Sequence, residues 1–344
     1  MGCRYCRPRS FRRIGKNLVK AHGTVINLKR LEEEIKRISL LAGKIFDIPI
    51  MKISGYGEPL LLPRIRKTLN ALSRNYERVQ IITNAALLNE DLVSELSRVP
   101  GINVCVSLDG HTPELNFCRT GKTGIIRKIL DNITLLRRYK IPVEINSVLT
   151  KHNISGFVKF VEYLSDRYDS LTCYPFPVRG FDSLAALGPR NAEKLSPLLD
   201  SYRCFSNILP HKEYIRRLIS FIHKRVRQDR CYVGYANLGI EPDGSIILCA
   251  CNLKQSIGNV FKEELIAALD RRKTHPIFYK FAVKELSFEG CSGCFTHYEI
   301  INLCLDGTIG PGEIKHIPLF GGDRTQKAFT EIRNELRASF TVKR

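Results

Sequence analysis

At 344 residues, 44% of them hydrophobic, the chain can hold one large domain and a smaller one, and it is too long to be a minimal disulfide scaffold. No stretch reaches the roughly 18 apolar residues of a membrane helix, and the first residues lack a secretory pattern, so no membrane partner is predicted. The formal net charge of +20 would attract anions, but basic residues are spread over Arg4 to Lys20, Lys122 to Lys140 and Tyr214 to Arg230. The last two read as solvated helix faces, so charge selects no substrate and a nucleic acid is not the favoured partner.

In chain order, a helical pattern over Leu28 to Leu41 precedes a short apolar run, Ile48 to Ser54, that ends in Gly55-Tyr56-Gly57-Glu58-Pro59. Helical and strand patterns then alternate: Pro63 to Ser73, the strand Val79 to Thr83 ending at Asn84, Glu90 to Ser97, the strand Ile102 to Leu108 ending at Asp109-Gly110, Ile125 to Tyr139, Val143 to Leu149, Ile154 to Arg167 and Leu171 to Tyr174. Asn89 and the Lys151-His152-Asn153 segment supply polar or N-cap residues before two of the helices. Short β-rich runs alternating with helices predict an α/β fold with a parallel sheet, whose active site lies at the strands' carboxyl ends. Residues from Phe181 to Arg230 form a helical bridge broken at Gly188-Pro189 and Pro210. The alternation then stops, and Leu238 to Cys249 reads as a β-hairpin turning on Pro242-Asp243-Gly244.

The twelve cysteines include two sets at metal-binding spacing, which points to a reducing cytoplasm. Cys3 and Cys6 form the tail of a Cys-x3-Cys-x2-Cys run whose first member would lie two residues before Met1. Three such thiolates can bind three irons of a [4Fe–4S] cluster and leave the fourth open. Cys231, Cys249, Cys291 and Cys294 offer four thiolates, enough for a closed cluster or a zinc site; spacing does not separate the two. Cys251 is a spare thiol beside this set, Cys304 a further one, and Cys105, Cys118, Cys173 and Cys204 read as ordinary buried or semi-buried thiols.

The ordered set of Cys3-Arg4-Tyr5-Cys6, Gly55 to Pro59, Asn84, Ser107-Leu108-Asp109-Gly110 and Arg119 resembles the radical S-adenosylmethionine superfamily. The segment with Cys231, Gly244 to Cys249, a Gly258-Asn259 turn and Cys291-x2-Cys294 resembles its SPASM/twitch extension. The resemblance implies a partial (β/α)6 TIM-like barrel lacking its first strand, plus a small C-terminal α+β iron–sulfur domain. The expected boundaries are 1–180 for the core, 181–230 for the bridge, 231–310 for the cluster domain and 311–344 for a tail. The implied cofactors are S-adenosylmethionine, a [4Fe–4S] cluster at Cys3 and Cys6, and one auxiliary [4Fe–4S] cluster at the second cysteine set. Tyr5 would pack on the adenine; Gly55, Gly57 and Glu58 would form the turn that accepts the methionine amino group. Asn84 belongs to the same cofactor-binding set, Ser107 would bond ribose or carboxylate, and Arg119 would pair with the carboxylate.

The implied reaction is reductive cleavage to a 5′-deoxyadenosyl radical that abstracts hydrogen from a peptide or protein. The alternatives are a small alcohol or tetrapyrrole-type substrate, and a non-catalytic iron–sulfur or zinc protein binding RNA through its charge. A ferredoxin or flavodoxin is the implied electron donor, and no residue is assigned as the catalytic acid or base. Ala250 follows Cys249 where sulfatase-maturing members carry an aspartate, so sulfatase maturation is not expected. Because the first cluster cysteine and strand are missing, a truncated start upstream of Met1 is expected.

Overall fold

The computed structural model describes residues 12–13, 18–21, 24–45, 48–54, 57–120, 124–178, 187–241, 243–249, 256–274 and 291–341. Three short antiparallel strands come first, Arg12–Arg13 (β1), Leu18–Ala21 (β2) and Thr24–Asn27 (β3), where the sequence pattern had suggested no element. They lead into the helix Leu28–Ile45 (α1).

A five-stranded parallel sheet follows: Ile50–Ile53 (β4), Arg78–Thr83 (β5), Ile102–Ser107 (β6), Val143–Leu149 (β7) and Thr172–Pro177 (β8), paired in sequence order. The crossovers carry Ile65–Leu72 (α2), Glu90–Leu96 (α3), the turn Phe117–Thr120 (α4) with Ile125–Arg138 (α5), and Phe157–Arg167 (α6). Asn89 caps α3 as expected, its Oδ1 accepting from Leu92 N at 2.9 Å. Asn153 sits at the N-cap position of a 3-10 turn, but its side chain makes no cap bond. Its Oδ1 accepts from Thr150 N and its Nδ2 donates to the Val148 carbonyl, both at 2.8 Å, bracing the loop after β7, and α6 begins only after a 3-10 turn over Ile154–Gly156.

The strand period of two gives this sheet two unlike faces. Val79, Ile81, Val104, Val106, Val143 and Ile145 point one way and are fully buried with α2, α3, α5 and α6. Burying each such side chain is worth about 1.5–3 kcal/mol. The alternate positions carry Lys52, Gln80, Asn103, Cys105, Ser107, Glu144, Asn146 and Tyr174, and their registers align: Lys52 with Gln80, Gln80 with Asn103, Cys105 with Glu144, Ser107 with Asn146 and Asn146 with Tyr174. Gln80 Nε2 donates to Asn103 Oδ1 at 2.7 Å and to Glu144 Oε2 at 3.0 Å, as a shared face requires.

Beyond the sheet lie Ser196–Asp200 (α7), Lys212–Lys224 (α8) and Val233–Ala236 (α9). The Ile208 carbonyl accepts from Cys173 N at 2.7 Å, covering part of the free edge of β8. The expected hairpin is present as Gly239–Ile240 (β9) and Ser245–Ile247 (β10), with Gly244 at φ +84° in its turn. Ser256–Asn259 (β11) adds a third antiparallel strand and precedes Leu265–Thr274 (α10). Gly258 and Asn259 thus end the strand, and Asn259 opens the expected turn, its carbonyl accepting from Lys262 N at 3.0 Å. Asn259 Oδ1 accepts from Phe261 N and its Nδ2 donates to the Asp243 carbonyl, both at 2.9 Å. Ile246, Leu248, Cys249, Ile257, Val260, Leu265 and Ala268 form a small core of their own.

The helices Glu299–Asp306 (α11) and Asp323–Thr341 (α12) return to the main core. Glu77, just before β5, accepts from Arg324 N at 3.1 Å, Thr325 N at 3.0 Å and Thr325 Oγ1 at 2.7 Å, so a carboxylate from the sheet caps the amino end of α12. Lys52 Nζ lies 4.9 Å from the Tyr298 ring centroid and 6.0 Å from that of Phe320, which places these two rings against the polar face of the sheet.

Candidate functional site

The carboxyl ends of β4 to β7 hold the polar turns. Glu58 Oε1 accepts from Thr83 Oγ1 at 2.6 Å and from Leu60 N at 3.2 Å, while Oε2 accepts from Asn84 N at 2.9 Å. One carboxylate therefore caps the 3-10 turn Pro59–Leu61 and ties the Gly57-Glu58 turn to the end of β5. Thr83 Oγ1 and Asn84 Oδ1 accept from Ala85 N and Ala86 N, holding Ala85 at φ +59°. Asn132, buried on α5, closes this turn by donating to the Ala85 and Leu88 carbonyls.

After β6, Asp109 Oδ1 accepts from Arg119 Nη2 at 2.6 Å and from Val148 N at 2.8 Å. The side chains of this pair are 8% and 0% exposed, so the guanidinium is held by a fully buried carboxylate. Arg119 Nη2 also donates to the Asn146 carbonyl at 3.5 Å, and Asn116 holds the loop with bonds to Asp109 N and to the Gly110 and Thr112 carbonyls. Ser107 and Asn146 sit side by side in register here, and buried Asn146 Oδ1 has no hydrogen-bond partner among the described residues. An unmet acceptor beside a hydroxyl, an arginine and a carboxylate suits a polar ligand at the strand ends.

Lower on the same face, Glu144 accepts from Gln80 and Asn103 and faces Lys52. Burial pushes its carboxyl up to about 7 against the opposing pull of Lys52, Gln80 and Asn103. Burial also lowers Lys52, with Glu144 working the other way.

Residues 1–164 match the family profile of the Radical SAM superfamily. The chain carries a radical SAM domain. The parallel sheet and its polar rim lie within or next to that span, and the cofactors of such a domain are S-adenosylmethionine and a [4Fe–4S] cluster. The AdoMet-dependent heme synthase of Methanosarcina barkeri is 31% identical over 114 residues, 33% of this chain and 32% of that protein. The antilisterial bacteriocin subtilosin biosynthesis protein AlbA of Bacillus subtilis is 23% identical over 278 residues, 76% of this chain and 60% of AlbA. The matches thus span about a third and three fifths of the two relatives' lengths. The solved structure of native anSMEcpe with bound AdoMet and Kp18Cys peptide aligns with a TM-score of 0.58 at 20% identity, over 84% of this chain and 80% of that one. At that identity the likeness speaks for the fold, and it agrees with the expected partial barrel.

Of the residues expected to serve the radical SAM domain, Cys3, Tyr5, Cys6 and Gly55 lie outside the described residues. Gly57, Glu58, Asn84, Ser107 and Arg119 all lie on the carboxyl side of the sheet, with Arg119 already held by Asp109. Sequence reading missed Asn146 because it sits unremarked inside the run Val143–Leu149; strand alternation counted from Ser107 would have found it.

In the second cysteine set, Cys231, Cys291 and Cys294 lie close enough to perturb one another. Burial, then Cys294 and Cys231, push Cys291 up to about 11. The Cys294 amide donates to the Cys291 carbonyl at 3.1 Å, forming a tight turn. Cys249 is buried in the small core, against which Cys231 also packs. Among the described residues, no three His, Cys, Asp or Glu side chains converge closely enough to hold a metal ion. The donor types suit an iron–sulfur cluster, whose ligands stand farther apart than those of a single ion: three thiols in electrostatic reach of one another and a buried arginine, Arg227, beside Cys231 and Cys294. Cys304 is buried in the main core, where burial raises its thiol to about 12, and Cys251 lies outside the described residues. Cys105, Cys118 and Cys173 are buried as expected, whereas Cys204 is exposed.

Proposed function

We propose that this protein is a radical SAM enzyme that abstracts hydrogen from a peptide or protein side chain. The observation that carries the reading is the grouping of Ser107, the unmet Asn146 Oδ1 and the Arg119–Asp109 pair at one end of the sheet, in a domain of this superfamily. When bound, the cluster at Cys3 and Cys6 and S-adenosylmethionine supply one electron and a hydrogen-abstracting radical. The Gly55–Glu58 turn takes the methionine amino group, Arg119 meets the carboxylate while Asp109 fixes its orientation, Ser107 bonds a ribose or carboxylate oxygen, and Asn146 Oδ1 accepts from a ribose hydroxyl. Tyr5 covers the adenine, and Asn84 belongs to the same rim.

A peptide substrate is supported by the likeness to AlbA and by the peptide named with anSMEcpe. The match to a heme synthase favours a second reading, a tetrapyrrole-type small molecule. The second cysteine set would hold one auxiliary [4Fe–4S] cluster, and a ferredoxin or flavodoxin would supply electrons. Among the described residues no helix is long and apolar enough to cross a membrane, and we place the protein in the cytoplasm, where thiolate-bound clusters persist.

The test is anaerobic reconstitution, with iron and sulfide, of the chain extended upstream of Met1 to the expected first cluster cysteine, followed by S-adenosylmethionine and dithionite. Formation of 5′-deoxyadenosine is expected, and an iron-loaded protein that forms none overturns the reading. Mass spectrometry of short peptides encoded beside its gene then separates the substrate classes. Consumption of a tetrapyrrole with every peptide unchanged favours the second.

A further inference from the structure

Arg227 is 7% exposed and lies between α8 and the second cysteine set. Its amide donates to the Ser292 carbonyl at 2.7 Å and its Nε to the Cys294 carbonyl at 3.0 Å, so it grips the Cys291–Cys294 turn from both ends. Nη1 meets Glu299 Oε2 at 2.8 Å, and that carboxylate is 1% exposed. Asn302 binds the same carboxylate at 2.9 Å, points Nδ2 at Cys231 Sγ at 3.9 Å, and accepts from Tyr232 N at 2.7 Å. Arg217 takes the other oxygen of Glu299 at 3.0 Å and is itself paired with Asp306 and Asp229.

Glu299 and the two carbonyls hold the guanidinium in place beside the Cys291–Cys294 turn, so a net-negative cluster on these thiolates would lie next to a fixed, buried cation. Iron–sulfur potentials depend on local charge and on hydrogen bonds to sulfur. We propose that Arg227, held by Glu299, is a positioning residue that sets the reduction potential of a cluster bound by Cys231, Cys291 and Cys294, with Asn302 donating to the sulfur of Cys231. This rests on the auxiliary-cluster reading above. The step is the entry of one electron from a low-potential donor, which makes the cluster one unit more negative; the fixed cation stabilises that reduced state. No proton or bond changes hands.

The full chain carrying Cys3→Ala and Cys6→Ala isolates the C-terminal site, and its iron, zinc and sulfide contents are measured before its midpoint potential is titrated by electron paramagnetic resonance. Arg227→Gln is expected to lower the reduced-to-oxidised ratio at fixed potential about tenfold, a shift of about 59 mV to the negative for a one-electron couple. Arg227→Lys should recover at least half of it, and Glu299→Gln should move the potential the opposite way. If Arg227→Gln does not load, the other two variants still decide. Unchanged potentials in Arg227→Lys and Glu299→Gln, or shifts of the same sign in Arg227→Gln and Glu299→Gln, overturn the proposal. Zinc without sulfide in the starting protein overturns the cluster reading itself, a result that iron analysis distinguishes from a wrong role for Arg227.

Discussion

The two faces of the central sheet differ in what they leave unfinished. On the helix side Val79, Ile81, Val104, Val106, Val143 and Ile145 are sealed. On the other side, one residue along each strand, Glu144 ionises near neutrality and Asn146 Oδ1 lacks a partner among the described residues. The same strands therefore supply stability from one set of positions and chemistry from the other, and substitutions at neighbouring residues should separate the two.

The largest loss is expected at Arg119, where the two roles meet. Arg119→Ala leaves the buried Asp109 carboxylate without its cation and should cost about 3–5 kcal/mol in a urea unfolding series. A loss below about 1 kcal/mol would show that the pair is not the closed ion pair seen here. Next is the contrast within β7. Ile145→Ala should cost about 2–5 kcal/mol with S-adenosylmethionine affinity little changed. Asn146→Ala should cost below about 1 kcal/mol yet weaken that affinity about tenfold in an anaerobic equilibrium titration. Equal effects on both properties would erase the distinction between the faces.

The polar face should also make stability depend on pH. Glu144 ionises near 7 when folded and near 4.5 when unfolded, so the unfolded chain releases its proton first as pH rises. Its contribution is full below about pH 4.5, falls until about pH 7 and is level above, a loss of about 3 kcal/mol at most. Replacing Lys52 with Met and Glu144 with Gln together should flatten that slope in denaturation series at pH 5, 6 and 7.5. An unaltered slope would place the titrating group elsewhere. At the small end, Glu77→Ala should cost about 1 kcal/mol through the lost cap of α12. Arg138→Ala breaks only an exposed pair with Glu90 and should change stability by less than about 0.5 kcal/mol.

The strand–helix alternation was legible because runs such as Val79 to Thr83 and Val143 to Leu149 are rich in β-branched residues and lie between amphipathic helices. The pattern hid which residues share a face, since Gln80 and Glu144 interrupt those runs without changing the strand signal. β1 was not legible: two arginines carry no apolar period. Asn153 looked like a helix cap because the sequence cannot tell a side chain reaching forward from one reaching back to Thr150 and Val148. At the thiol site the cysteines announced themselves by spacing. Arg227 did not, since it sits among Arg225 and Arg230 and its partner Glu299 is remote in sequence.

The bonds from Glu77 to Thr325 join positions 248 residues apart, so the order of synthesis constrains assembly. As the chain emerges from the ribosome, the strands and their helices can pair early, but the cover over Lys52 must wait until Tyr298 and Phe320 have been made, and the cap until α12 has. A nascent chain halted before Tyr298 is thus expected to keep its polar face open to water and to collapse slowly, since long-range closure dominates the rate. Cofactor loading in the cell would then have a window that translation itself opens and shuts.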